Sequence, residues 1–236
     1  MHSPSYGLST ARWYYSPSTP TRYYEPVAAN YSYYTRPPSA SAMKSYNVFN
    51  RFSNSQNHLV YDDAQLHERR LNRNLEQYGF SRRPVKGDGN CLFYALTEGI
   101  AYEMRVDENF AYSIHALMNL PQKTDMTHFA NLLRQLCVDQ WRTNQQYYSN
   151  FVDKKVTFLK EVKKFSKNGV SESILGDIVP LTICNALNIN VTIFTSVSDL
   201  PVIEVKSESP GKNVKTIYLA YNQHGAGHYD AAQRYA

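Results

Sequence analysis

Apolar positions along this chain change their spacing twice, and each change marks a different kind of structure. Up to about residue 58, tyrosine, serine and proline dominate, isoleucine is absent and aliphatic side chains are sparse. Such a stretch cannot bury enough apolar surface to offset the entropy of ordering it, so residues 1–58 are expected to be a disordered tail. Helical spacing then takes over. Leu66, Leu71 and Leu75 run between Asp62-Asp63, which can cap a helix, and Gly79, which can end one after Tyr78. Phe93, Leu96 and Ile100 recur at i, i+3 and i+7 and predict a helix over 91–103 with one buried face. Further helices are predicted near 108–119, at 129–145, and at 151–166 with Val152, Val156, Leu159 and Val162 as its apolar stripe. Another is predicted at 178–187, where Pro180 falls in the first turn. Beyond 190 the pattern becomes β-like, with strands predicted at 190–195, 201–206, 215–221 and 228–233. Helices first and strands last predict an α/β domain over 59–236, its small central sheet packed between helices.

Composition narrows the chemistry. Three cysteines cannot form a disulfide framework, and no CxxC pair points to zinc, so neither a metal nor a cofactor is expected. Cys137 lies among Leu133, Leu136 and Trp141, and Cys184 lies in an apolar helix; both read as small buried hydrophobes. The net charge of +5 is too mild to argue nucleic-acid binding. No apolar run approaches the ~18 residues a membrane span needs, so no membrane association is expected.

The chemistry concentrates in Gly87-Asp88-Gly89-Asn90-Cys91-Leu92-Phe93. Two glycines suit a tight loop, and Cys91 then falls in the first turn of a helix, where backbone N–H groups and the positive end of the helix dipole gather. That field favours thiolate, and the same N–H groups could hold an oxyanion. A nucleophilic thiol needs a base. Of seven histidines, His2 lies in the tail, His58 and His67 read as solvated, and His115 and His128 as surface or half-buried. His224 sits in a turn. His228 opens His228-Tyr229-Asp230 after the β run Ile217–Tyr221 and a glycine-containing turn, the pattern of a hairpin. On a strand His228 and Asp230 share a face, so the carboxylate could orient the imidazole.

Together these residues resemble the ovarian tumour (OTU) family of cysteine proteases. Leu175-Gly176-Asp177, Pro180–Leu187 and Val191–Phe194 resemble the family's middle block, and the likeness covers roughly residues 60–236. The resemblance implies a papain-like cysteine-protease fold and a deubiquitinase, hydrolysing the isopeptide bond after ubiquitin's C-terminal glycine, with ubiquitin or polyubiquitin chains as partner. It makes Cys91 the nucleophile and His228 the general base, with Asp88 and Asp230 as catalytic acidic residues and Gly89 and Asn90 in the oxyanion loop. The orienting role stays open between Asp230, which has the better strand geometry, and Asp88, which fits shaping of the loop. Residues 101–128 depart from the family's pattern, which leaves substrate preference open. Two other readings are an inactive ubiquitin-binding module of the same fold, and an OTU-fold protease acting on another ubiquitin-like modifier or a polyprotein. A reactive thiol needs a reducing setting, so cytosol or nucleus is expected.

Overall fold

The computed structural model describes residues 64–235 apart from 122, 154–156, 172, 212 and 213. The tail read at 1–58 and the cap at Asp62-Asp63 lie outside them. Helix α1 (Ala64–Gln77) buries His67, Leu71 and Leu75, one per turn, and stops at Gly79, whose φ of +77° suits a residue without Cβ. Strand β1 (Phe80–Arg83) follows at once. The sequence Arg83-Pro84-Val85-Lys86 predicts a short extended segment over 83–86, three residues later. The chain pairs the residues before Pro84 instead, a position that offers no N–H to a ladder.

Helix α2 (Cys91–Val106) buries Leu92, Phe93, Ala95, Leu96 and Ile100. It lies against the sheet so closely that a Cβ on Gly99 would come within 2.4 Å of the Ile217 side chain. Helix α3 (Glu108–Met118) starts where Asp107 accepts the Phe110 N–H, and ends at Asn119 in the left-handed region. Helix α4 (Met126–Thr143) is capped in the same way by Asp125. A short α5 (Gln145–Tyr148) and a 3₁₀ turn (Ser149–Phe151) insert Tyr147, Tyr148 and Phe151 into the core.

The helix predicted at 151–166 is α6 (Phe158–Phe165), and its buried stripe is Phe158, Val162 and Phe165. Leu159 is 47% exposed, and Val156 lies outside the described residues. The two phenylalanines bury more area than the aliphatic stripe would, and they set the phase. A 3₁₀ turn (Gly176–Ile178) leads into α7 (Val179–Leu187) with Pro180 in its first turn.

Strands β2 (Asn190–Thr195), β3 (Val202–Val205), β4 (Thr216–Asn222) and β5 (His228–Arg234) complete a five-stranded sheet in the order β1-β5-β4-β2-β3. All neighbours are antiparallel except β2 and β4. On one face Leu71 and Leu75 of α1 meet Phe80, Phe194, Ala220 and Ala232. On the other, Val191, Ile193, Ile217 and Leu219 join the larger core built with α2, α4 and α7. The expected arrangement, a small sheet between helices, is the one observed. No helix among the described residues is long and apolar enough to cross a membrane.

Candidate active site

Loop 87–90 is held by hydrogen bonds that its own sequence supplies. The Asp88 carboxylate accepts the Asn90 N–H at 3.2 Å, the Asn90 side-chain amide at 3.3 Å and the Tyr94 hydroxyl at 3.2 Å. Asn90 is 5% exposed, and its Oδ1 accepts from the Gly169 N–H (3.2 Å) and from Arg134 (2.9 Å). Gly89 has φ +80°, and a Cβ there would lie 2.0 Å from the Gly169 carbonyl oxygen. Only a glycine lets the two backbones pass.

Arg134 is the residue that motif reading missed. It is 1% exposed and donates Nη1 to the Phe165 and Val170 carbonyls, both at 2.9 Å, and Nη2 to the Gly89 carbonyl at 3.0 Å. Its guanidinium also lies 4.6 Å from the centres of both the Phe93 and Phe165 rings. Burial pulls its pKa down from the ordinary value, with nearby acidic groups opposing. A signal was present in the sequence: Arg134 shares the buried stripe of Ala130, Leu133, Cys137 and Trp141. A charged residue on that stripe needs several acceptors.

Cys91 is the first residue of α2 and is partly exposed. The backbone N–H groups of Tyr229, Leu92 and Cys91 itself favour its thiolate. Burial nevertheless dominates and pushes the thiol up from its ordinary value, with Asp230 adding to the shift. Burial thus outweighs the N–H groups that the sequence gathers at this helix N-terminus. Tyr221 and Tyr229 stand beside it with ring centres 4.5 Å apart, and burial pushes the Tyr221 phenol up to about 12. Cys137 and Cys184 are fully buried, and burial pushes both thiols up.

His228 opens β5, directly opposite Asn222 of β4, so the predicted hairpin forms. Its ring lies against Gly87, where a Cβ would sit 3.6 Å from Cε1 and from Nδ1. Its Nε2 is 3.0 Å from Asp230 Oδ1. That oxygen also accepts the Val85 N–H at 2.9 Å, and Oδ2 lies 3.5 Å from Arg82 Nε. Asp230 is 4% exposed. Of the two carboxylates left open by the sequence, Asp230 is bonded to the imidazole, while Asp88 is bonded to Asn90 of its own loop and to Tyr94 of α2. All six predicted site residues thus fall at one place, where the first turn of α2 meets the first residues of β5.

The other described histidines sit elsewhere. His67 is 5% exposed rather than solvated, with Nδ1 2.8 Å from the Ser196 hydroxyl and its ring 5.9 Å from that of His224. His115 is half-buried against the Leu120 carbonyl, and His128 is exposed. Among the described residues no group of three His, Cys, Asp or Glu side chains could hold a metal ion.

No family model matches this chain, and no curated protein matches it in sequence. Solved structures do match. The OTU domain of OTUD1 superposes with a TM-score of 0.52 at 16% identity, over 72% of this chain and 95% of that one. The h/ceOTUB1 structure with ubiquitin aldehyde and UBC13~Ub gives 0.53 at 14% identity, over 82% and 97%. Its counterpart with UBCH5B~Ub gives 0.54 at 13% identity, over 82% and 96%. The chain has an OTU-like fold.

Proposed function

We propose that residues 59–236 form a cysteine-dependent deubiquitinase that hydrolyses the isopeptide bond after ubiquitin's C-terminal glycine, in the cytosol or nucleus. One observation carries the reading. A histidine held by a buried carboxylate stands at the head of β5, beside the backbone N–H that faces the Cys91 sulfur. The OTU-like fold supports it, because two of the similar structures contain ubiquitin aldehyde.

The chemistry follows from the protonation states. Burial disfavours the Cys91 thiolate, so a base is needed to take its proton during attack. With Nε2 donating to Asp230, His228 keeps the Nδ1 lone pair for the thiol proton. Sulfur then bonds to the glycine carbonyl carbon, and the oxyanion is held by N–H groups at the start of α2. The carbon–nitrogen bond breaks as the imidazolium returns the proton to the lysine amine. Water, deprotonated by the same imidazole, cleaves the thioester and regenerates the thiol. Asp230 orients the imidazole and balances its charge; Asp88 holds the loop through Asn90 and Tyr94.

The test is covalent capture. A ubiquitin carrying an electrophilic C-terminus is expected to add one ubiquitin at Cys91 and none in Cys91→Ala. His228→Gln is expected to slow the reaction by at least about a hundredfold. Capture that persists without Cys91 overturns the assignment. A panel of ubiquitin linkages and other modifiers then defines the substrate.

A further inference from the structure

The carboxylate that holds His228 is itself held, from outside the catalytic elements. Asp230 spends Oδ1 on His228 and on the Val85 N–H, leaving Oδ2 against Arg82 Nε at 3.5 Å. Arg82 belongs to β1, and its two terminal nitrogens fork onto both oxygens of Glu68 in α1: Nη1 to Oε2 at 2.9 Å, and Nη2 to Oε1. Glu68 Oε2 also accepts from the Asn222 side chain at 3.1 Å, and Asn222 is the residue opposite His228 across the β4–β5 ladder. The chain of contacts therefore closes on itself through four elements: β5, β1, α1 and β4. Each planar group has both ends fixed, which a single ion pair cannot achieve. With Asp230 only 6% exposed at its side chain and Arg82 at 25%, the ring is shielded at the end that matters.

We infer that Arg82 and Glu68 are positioning residues for His228, acting through Asp230, so that α1 sets the geometry of the catalytic pair without touching substrate. This rests on the deubiquitinase reading. Arg82 stops the Asp230 carboxylate from rotating, and Glu68 stops Arg82 from leaving for solvent. The charges also suit the reaction. With a neutral imidazole the cluster of His228, Asp230, Arg82 and Glu68 carries one net negative charge, and proton transfer to His228 neutralises it.

Steady-state kinetics on a fluorogenic ubiquitin C-terminal substrate test the inference. Arg82→Gln is expected to lower kcat by about tenfold to a hundredfold with KM unchanged, the signature of misplaced rather than missing machinery. Glu68→Gln, the milder change, is expected to lower kcat in the same direction by less, and the two losses are expected not to add. Arg83→Gln, next door but bonded to Gln233, is the control and is expected to leave kcat alone. The decisive variant is the charge swap Arg82→Glu with Glu68→Arg. It restores an α1–β1 ion pair but sets a carboxylate against Asp230, so kcat is expected to stay low. Rescue by the swap, or wild-type kcat in Arg82→Gln, overturns the inference. A readout independent of turnover is the low-field proton NMR signal of the His228 ring N–H, expected in the parent and lost in both Arg82→Gln and the swap. Failure of the parent to react with the ubiquitin probe sinks the deubiquitinase reading, while persistence of that signal in Arg82→Gln sinks the positioning chain.

Discussion

Arg134 shows how much of the loop before Cys91 can depend on one buried side chain. It supplies donors to Gly89, Asn90, Phe165 and Val170, drawing the loop before Cys91 and the segment around Gly169 onto the same guanidinium. Arg134→Met fills similar volume but leaves those acceptors unpaired, at about 1–3 kcal/mol for each that water does not reach. The expected result is a stability loss of about 3 kcal/mol in urea unfolding, with slower probe reaction at Cys91 even at low denaturant. At this scale the two motifs were readable because their chemistry is local: a glycine-bracketed loop before a helix, and a histidine two residues before an aspartate. Arg134 and Arg82 were not read as site residues. Their partners lie 45 and 148 residues away, at Gly89 and Asp230, and only the fold supplies them.

At the scale of elements, α1 is fastened to the sheet by Leu71 and Leu75 below and by the Glu68–Arg82 fork above. The hydrogen bonds from Arg82, opposed by partial desolvation, hold the Glu68 carboxyl below its ordinary 4.5. The fork therefore contributes in full above about pH 4.5 and is lost as the pH falls through the lowered value. Hydrogen exchange in α1 is expected to rise on acidification before exchange in α2 does, and Glu68→Gln is expected to remove that difference. The predicted helices and strands appear with shifted ends, and the instructive error is α6. Aliphatic spacing placed Leu159 inside, but Phe158 is buried instead and Phe165 packs against Arg134, Trp141 and Phe93, a choice made by ring size and not by periodicity.

For the whole molecule, the alternation of pattern gave the α/β class, yet it could not give the sheet order. Parallel pairing of β2 with β4, and the pairing of β1 with β5 across the length of the domain, leave no local trace. The large core also sets an alkaline limit. Cys137 and Cys184 are raised by burial from an ordinary 9.0, so native protein keeps protons that the unfolded chain releases. That stability is fully present below about pH 9 and falls as the pH rises beyond it. Each thiol adds up to about 1.4 kcal/mol per pH unit to the decline. Urea unfolding between pH 8 and pH 10.5 is expected to show the decline, and Cys184→Ala to make it shallower.

The place of β5 has a consequence for synthesis on the ribosome. It lies between β1 and β4, and its pairing with β1 joins Phe80 to Arg234. A nascent polypeptide that has already emitted its thiol-bearing helix still has a gap in the sheet, and that gap is where His228 and Asp230 belong. Until translation supplies β5, neither His228 nor its carboxylate partner can take its place beside the start of α2.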